Sequence, residues 1–236
     1  MKKAALVTGG AVRIGAGMAL KLAGMGYDIA LHYNNSQTEA EKIKREVEKK
    51  GTKCKLFKSD FSIETEVTGL IEEVSNEFEE LTLLINNASI FERFKITETT
   101  LELFEKTFNI NFKTPFILSR DFAKLVEKGN IINVLDTKAI KNSYFYAAYT
   151  LSKKSLLEFT KMAANEFGPD IRVNAIAPGL ILEPEGKTSE YLDKMAENIP
   201  LKKRGSLEEI NNALEFILLN GYVTGQIIFV DGGQHL

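Results

Sequence analysis

Short apolar runs alternate with longer amphipathic stretches along the whole chain. The runs at Ala4 to Val7, Tyr27 to Leu31, Lys53 to Phe57, Leu83 to Ile85, Ile131 to Val134, Arg172 to Ile176 and Ile227 to Val230 predict seven strands. Between them the apolar residues recur at helical spacing, most regularly over Ala147 to Phe167. Strands this apolar are buried on both faces, and strands separated by helices join through right-handed crossovers. The expected architecture is therefore α/β, a doubly wound parallel sheet of seven strands with helices on both faces. The helix after Ser36 is almost entirely charged from Glu41 to Lys50 and is expected at the periphery. The segment from Pro178 to about Pro200, with Pro184 and Gly186 among polar residues, is expected to be a loop bordering a substrate pocket.

At 236 residues, 44% of them hydrophobic, the chain can close one large core, so residues 1–236 are expected to form a single domain. The formal net charge is -2, and the lysines and arginines are spread over the helices, a pattern that points to neither nucleic acid nor a membrane surface. A small molecule is the expected partner. Cys54 is the single cysteine and no metal site is expected, which suits a reducing cytoplasm. The apolar run after Lys3 stops at Thr8-Gly9-Gly10, too short for a signal sequence, and no later run is long enough to span a bilayer.

The first strand leads through Thr8-Gly9-Gly10-Ala11-Val12-Arg13-Ile14-Gly15 into a helix. Glycines there let backbone approach a pyrophosphate, whose charge is met by helix N-terminal amides, as in a Rossmann-like nucleotide-binding turn. Gly9, Arg13, Ile14 and Gly15 are thus cofactor candidates. An acidic residue usually ends the second strand of an NAD-binding sheet, but here the end reads His32-Tyr33-Asn34-Asn35-Ser36. With Arg13 offering a guanidinium, and His32 and Ser36 offering hydrogen bonds, a 2′-phosphate is expected and the cofactor is read as NADPH. A solvated Arg13, and Ser36 acting only as a helix cap, are the alternatives. Asp60 and Phe61 follow the third strand, and Asn87-Ala88-Ser89 the fourth, at the strand ends where such sheets bind ligands. Asp60 could instead cap the helix starting near Ile63, and Asn87 could tie the turn to a neighbouring strand.

Tyr149 and Lys153, four residues apart in the long helix, lie on one face. An ammonium beside a phenol favours phenolate, so the pair can pass a proton to an atom that has accepted hydride. The ordered set Thr8-Gly9 to Gly15, Asp60, Asn86-Asn87-Ala88, Asn111, Tyr149-x-x-x-Lys153, Pro178-Gly179 and Asp231-Gly232-Gly233 resembles the short-chain dehydrogenase/reductase family over essentially the whole chain. The resemblance implies that Tyr149 donates the proton, that Lys153 holds the nicotinamide ribose and tunes Tyr149, and that Asn111 supports a water in a proton relay. It also implies a homotetramer, with the Tyr149 helix and the segment near Asp231 at its interfaces.

Family members mostly place a serine thirteen residues before the tyrosine, where this chain has Asp136. A carboxylate repels a developing alkoxide but can hold N–H groups, which suits a C=N acceptor and an Asp–Tyr proton-donating pair. Together with Arg13, His32-Tyr33 and Ser36, and Ser89 with Phe91, Asp136 makes the chain similar to the pteridine reductase and dihydromonapterin (dihydrofolate) reductase branch. That likeness implies that Phe91 stacks on a pterin and that Ser89 touches both ligands; Leu180 is expected in the substrate pocket. Two other readings stay open: a carbonyl reductase acting on a 3-oxoacyl thioester or small ketone, and a non-catalytic dinucleotide-binding protein.

Overall fold

The computed structural model describes residues 2–183 and 189–236. Seven strands form one parallel sheet in the order β3-β2-β1-β4-β5-β6-β7. They are β1 (Ala4–Val7), β2 (Asp28–Tyr33), β3 (Cys54–Lys58), β4 (Leu81–Asn86), β5 (Gly129–Val134), β6 (Ile171–Pro178) and β7 (Ile227–Val230). The order reverses between β1 and β4, so the crevice beyond their carboxyl ends is the place for a ligand.

Alternation along each strand decides which helices cover which face. Ala5 and Val7 of β1 and Leu83 and Ile85 of β4 point into one core with Met18, Leu22, Ile210 and Leu214. These come from α1 (Arg13–Gly24) and α9 (Leu207–Leu219), beside which lies α2 (Gln37–Lys49). Ala4, Leu6 and Leu84 point the other way, into a core with Ile71, Leu118, Phe122 and Leu156. That face carries α3 (Glu64–Val67), α4 (Leu70–Glu77), α5 (Leu101–Phe108), α6 (Thr114–Leu125) and α7 (Ala147–Phe167). Only Ala40 and Val47 of α2 are buried, consistent with a helix whose remaining positions are mostly charged.

Two local features matter for the site. Asn109–Lys113 forms a single π turn between α5 and α6, a distortion that often marks functional positions, and Asn111 sits inside it. The stretch expected to be structureless up to Pro200 instead contains α8 (Ser189–Ala196), anchored by buried Leu192 and Ala196. Those two, with buried Ile199, follow helical spacing, which corrects the loop reading for this part. Pro184 and Gly186 lie outside the described residues.

Candidate active site

A cleft of about 500 Å³ opens over the carboxyl ends of β1 and β4. Thr8 and Asn87 clamp its base. Asn87 Nδ2 donates to the carbonyls of Thr8 and Gly9 at 2.9 and 3.1 Å, and the amides of Asn87 and Ala88 donate to Thr8 Oγ1 at 2.9 and 3.0 Å. Asn87 thus ties the turn to the neighbouring strand while lining the cleft. The close fit explains two glycines: Gly9 has φ +59°, and a Cβ on Gly15 would lie 2.3 Å from the Gly9 carbonyl oxygen and 2.5 Å from Asn87 Nδ2. Helix α1 starts at Arg13 with no side-chain cap on its amides and no acidic residue in its first turn, an arrangement that leaves N–H groups for an anion.

Arg13 itself has φ +56°, a left-handed conformation that costs a non-glycine residue about 1 kcal/mol. Its guanidinium donates to the backbone carbonyls of Glu183 at 2.9 Å and Leu182 at 3.4 Å, joining the glycine turn to the segment after β6. Two of its N–H groups are thus engaged, while the residue stays exposed and lines the same cleft as Asn34 at the end of β2.

His32 lines the same cleft but is 2% exposed. The Gly9 amide donates to its Nδ1 at 3.1 Å, and its Nε2 donates to the Ser59 carbonyl at 3.0 Å, which defines the neutral Nε2–H tautomer. Its ring stacks on Phe61 at 3.9 Å with an interplanar angle of 2°. Burial pushes its pKa down to about 4, against weaker opposing effects of the Ser59 carbonyl and Asp60. The expectation that His32 donates to a 2′-phosphate is therefore corrected: both ring nitrogens are already engaged. Tyr33 is packed in the core, and neither it nor Ser36 lines the cleft; Ser36 precedes α2 without a side-chain cap bond. Asn34, Asp60 and Phe61 do line it. Asp60 Oδ1 accepts from the Ser62 amide at 2.8 Å and hydroxyl at 2.7 Å, bonds that hold its pKa below the usual carboxylate value. It caps this tight turn and not the helix, whose N-cap is Ile63.

At the other end of the cleft Tyr149, Lys153 and Asp136 converge. Tyr149, 6% exposed, donates from its hydroxyl to Asp136 Oδ2 at 3.0 Å. Asp136 Oδ1 accepts from the Lys138 amide at 2.7 Å and the Thr137 hydroxyl at 3.3 Å. Lys153 Nζ donates to the Val134 carbonyl at 2.8 Å. Burial, reinforced by the charge and hydrogen bond of Asp136, holds the Tyr149 phenol well above its usual pKa. Burial lowers Lys153 to about 8, with Asp136 opposing. The expectation that the ammonium favours phenolate is thus corrected: burial, and then the carboxylate, raise the phenol's pKa instead.

Asn111 is fully buried and saturated. Its Oδ1 accepts from the Ser89 hydroxyl and the Ile90 amide at 3.1 and 2.9 Å, and its Nδ2 donates to the Ile90 carbonyl and the Ser152 hydroxyl at 3.0 and 3.3 Å. With both amide donors and both carbonyl lone pairs taken, its side chain fixes the Ser89–Ile90 wall, which leaves the backbone of the π turn as the part of Asn111 that could meet a water. Phe91 lines the cleft, stacked on Tyr146 at 4.6 Å and edge-to-face with Tyr149 at 4.6 Å. Pro178 and Gly179 line the cleft, whereas Leu180 does not; the next two residues, Ile181 and Leu182, do. Sequence reasoning also missed Ser59 and Lys138, which belong to no spaced motif, and passed over Val12 inside the glycine turn.

This arrangement defines a dinucleotide-type cleft with an acid–base pair at one end. A family model described as enoyl-(acyl carrier protein) reductase matches residues 10–235. The 3-oxoacyl-(acyl-carrier-protein) reductase FabG of Staphylococcus epidermidis is 31% identical over 244 residues, covering 100% of both chains. Among solved structures, FolM alternative dihydrofolate reductase 1 from Brucella canis, complexed with NADP, superposes with a TM-score of 0.93 at 35% identity, covering 99% of this chain and 94% of that one. A blue fluorescent protein from a metagenomic library, in complex with NADPH, gives 0.90 at 30% identity over 98% and 97% of the chains. The chain belongs to the short-chain dehydrogenase/reductase family and is an oxidoreductase of that family.

Proposed function

We propose that the chain is an NADPH-dependent reductase of a C=N bond in a pterin-type substrate: a dihydropteridine, dihydromonapterin or dihydrofolate. The observation that carries this reading is the carboxylate of Asp136 at 3.0 Å from the Tyr149 hydroxyl. A carboxylate there opposes charge developing on a carbonyl oxygen, but accepts from the N–H groups of a nitrogen heterocycle. The residues fit the cofactor. The Gly9–Gly15 turn closes on backbone with no room for a Cβ at position 15, the amides opening α1 face the same cleft, and Asn34 stands where an acidic residue would repel a 2′-phosphate. NADPH supplies hydride when bound.

This chain's residues divide the remaining work. Gly9, Ile14, Gly15, Asn34, Asp60, Phe61, Asn87, Ala88, Pro178 and Gly179 shape the nucleotide end, with Tyr33 and Ser36 outside the lining. Lys153 holds the nicotinamide ribose, and Tyr149 carries the proton. Ser89, Phe91 and Asp136 form the substrate wall, where Phe91 offers an aromatic surface. The likeness to FolM, which is named for dihydrofolate reduction, supports the pterin reading.

A carbonyl reductase is the second reading, favoured by the FabG relatives and their 3-oxoacyl thioester chemistry. NADPH oxidation with 7,8-dihydrobiopterin or dihydromonapterin, set against an acetoacetyl thioester, tests the two. Turnover of the thioester alone overturns the proposal. A homotetramer accompanies this reading: exposed apolar side chains on α5 and α7 (Leu101, Leu151, Met162) and beside β7 (Phe216, Leu219, Tyr222) offer two separate faces for it, and sedimentation measures the assembly.

A further inference from the structure

Lys138 is a charged cleft residue that belongs to neither the cofactor turn nor the proton-transfer pair. It lies in the short turn after Asp136, and its Nζ sits 3.9 Å from Asp136 Oδ1, 5.1 Å from the Phe91 ring centre and 5.4 Å from that of Tyr146. Among the described residues its ammonium makes no hydrogen bond, and its side chain is 30% exposed. Its three donors therefore face the cleft with only a distant carboxylate in reach.

The surrounding rim has the same sign. The strands of loop that carry Phe94 and Tyr146 are joined by an isolated parallel bridge, which brings residues 91–95 against residues 138–146. These two segments contain Arg93, Lys95, Lys138 and Lys141 against a single acid, Glu92, on a chain of net charge -2. Lys95 pairs with Glu98 at 3.4 Å and Lys141 donates to the Gln234 carbonyl, whereas Arg93 lies over the Phe145 ring at 4.7 Å. Positive charge over exposed aromatic rings at a cleft mouth attracts anionic ligands with a flat, apolar part.

We propose that Lys138 is a specificity-determining residue that selects substrates whose flat ring bears a carboxylate-terminated tail. This rests on the pterin reading above and narrows it. A ring held at Asp136 Oδ2 has Lys138 at its outer edge, so the tail leaves past the ammonium and over the Phe91–Tyr146 stack toward Arg93. Charge-assisted hydrogen bonds from Lys138 to the tail carboxylate then favour the anionic substrate over one with an uncharged side chain.

The test compares kcat/KM for 7,8-dihydrofolate, whose tail carries carboxylates, with that for 7,8-dihydrobiopterin, whose side chain is neutral. In Lys138→Gln the ratio of the two is expected to fall about tenfold, chiefly through KM for dihydrofolate, and Lys138→Arg restores it. A ratio unchanged in Lys138→Gln overturns the proposal, because a residue that merely steadies Asp136 affects both substrates alike. Calorimetry of p-aminobenzoylglutamate on the NADPH-saturated protein separates the two levels. Binding lost in Lys138→Gln, with neither pterin turned over, retains the anion site while the pterin reading fails; binding unaltered by the substitution removes the anion site whatever the substrate. Equal sensitivity of an acetoacetyl thioester on an acidic carrier protein to Lys138→Gln, with p-aminobenzoylglutamate unaffected, assigns the rim to protein docking and also overturns it.

Discussion

Acidification should weaken the fold through His32, and by an amount the geometry sets. The ring is enclosed between the Gly9 amide, the Ser59 carbonyl and the face of Phe61, so a second proton has no acceptor at Nδ1 and faces an N–H. Burial places its folded pKa at about 4, below the 6.5 of an unfolded chain. Above pH 6.5 both states are neutral and the contribution is complete. As pH falls below 6.5 the unfolded state takes the proton first, so stability drops until the folded ring titrates near 4. Across the full window the linkage is worth about 3 kcal/mol, and between pH 7 and 5 about 2 kcal/mol. Urea unfolding at both pH values, at one protein concentration, should show wild type losing about 2 kcal/mol more than His32→Gln, with titrating carboxylates cancelling in the comparison. The chain has just two histidines, so nitrogen NMR reads the same ring directly. An equal pH-dependent loss in both proteins, or a His32 resonance titrating near 6.5, refutes the reasoning.

Removing the Tyr149 hydroxyl in Tyr149→Phe should lower turnover by at least about 100-fold, while NADPH affinity from fluorescence titration changes little. Asp136→Asn takes away the charge that reinforces burial in raising the Tyr149 pKa, so the phenol should ionise at lower pH; ultraviolet difference titration against a Tyr149→Phe background isolates it. Gly15→Ala drives a Cβ into the Gly9 carbonyl and should destabilise the protein by more than about 2 kcal/mol, whereas Gly24→Ala, with open space and an α-helical site, should be neutral or gain about 0.5 kcal/mol; thermal denaturation distinguishes them.

The layers of the fold were legible because each strand carries a two-sided apolar pattern. Ala4 to Val7 needs burial on both faces and receives it from two different sets of helices. Periodicity was equally sufficient for α7, whose observed limits are those the pattern predicts. It was also present in Leu192, Ala196 and Ile199, where the polar, proline-bearing surroundings concealed a short helix. The cleft was harder to read because its side chains are defined by partners distant in sequence. His32 looks like a donor until Gly9 and Ser59 arrive from 23 and 27 residues away. Arg13 looks like a free guanidinium until the carbonyls of residues 182 and 183 take two of its N–H groups. Spacing places Tyr149 and Lys153 on one face, yet the upward shift of the phenol's pKa comes first from burial and then from the Asp136 carboxylate across the turn, neither of which spacing reveals.

That sign bears on how the proposed reaction is completed. A buried phenol with a raised pKa keeps its proton through the neutral range and, once it has given the proton up, sits as phenolate beside a carboxylate. Such a pair of negative charges is unfavourable, so the phenol must be reprotonated promptly. The Asn111 side chain offers no path, because its amide is saturated by Ser89, Ile90 and Ser152. Asp136 does: its side chain is 24% exposed, while Oδ2 remains in contact with the Tyr149 hydroxyl. In the proposed reductase the residue that replaces serine thus has two tasks, holding the N–H groups of the substrate and passing protons from solvent to the buried tyrosine. The second task explains why a carboxylate is tolerated where its charge makes Tyr149 a weaker acid.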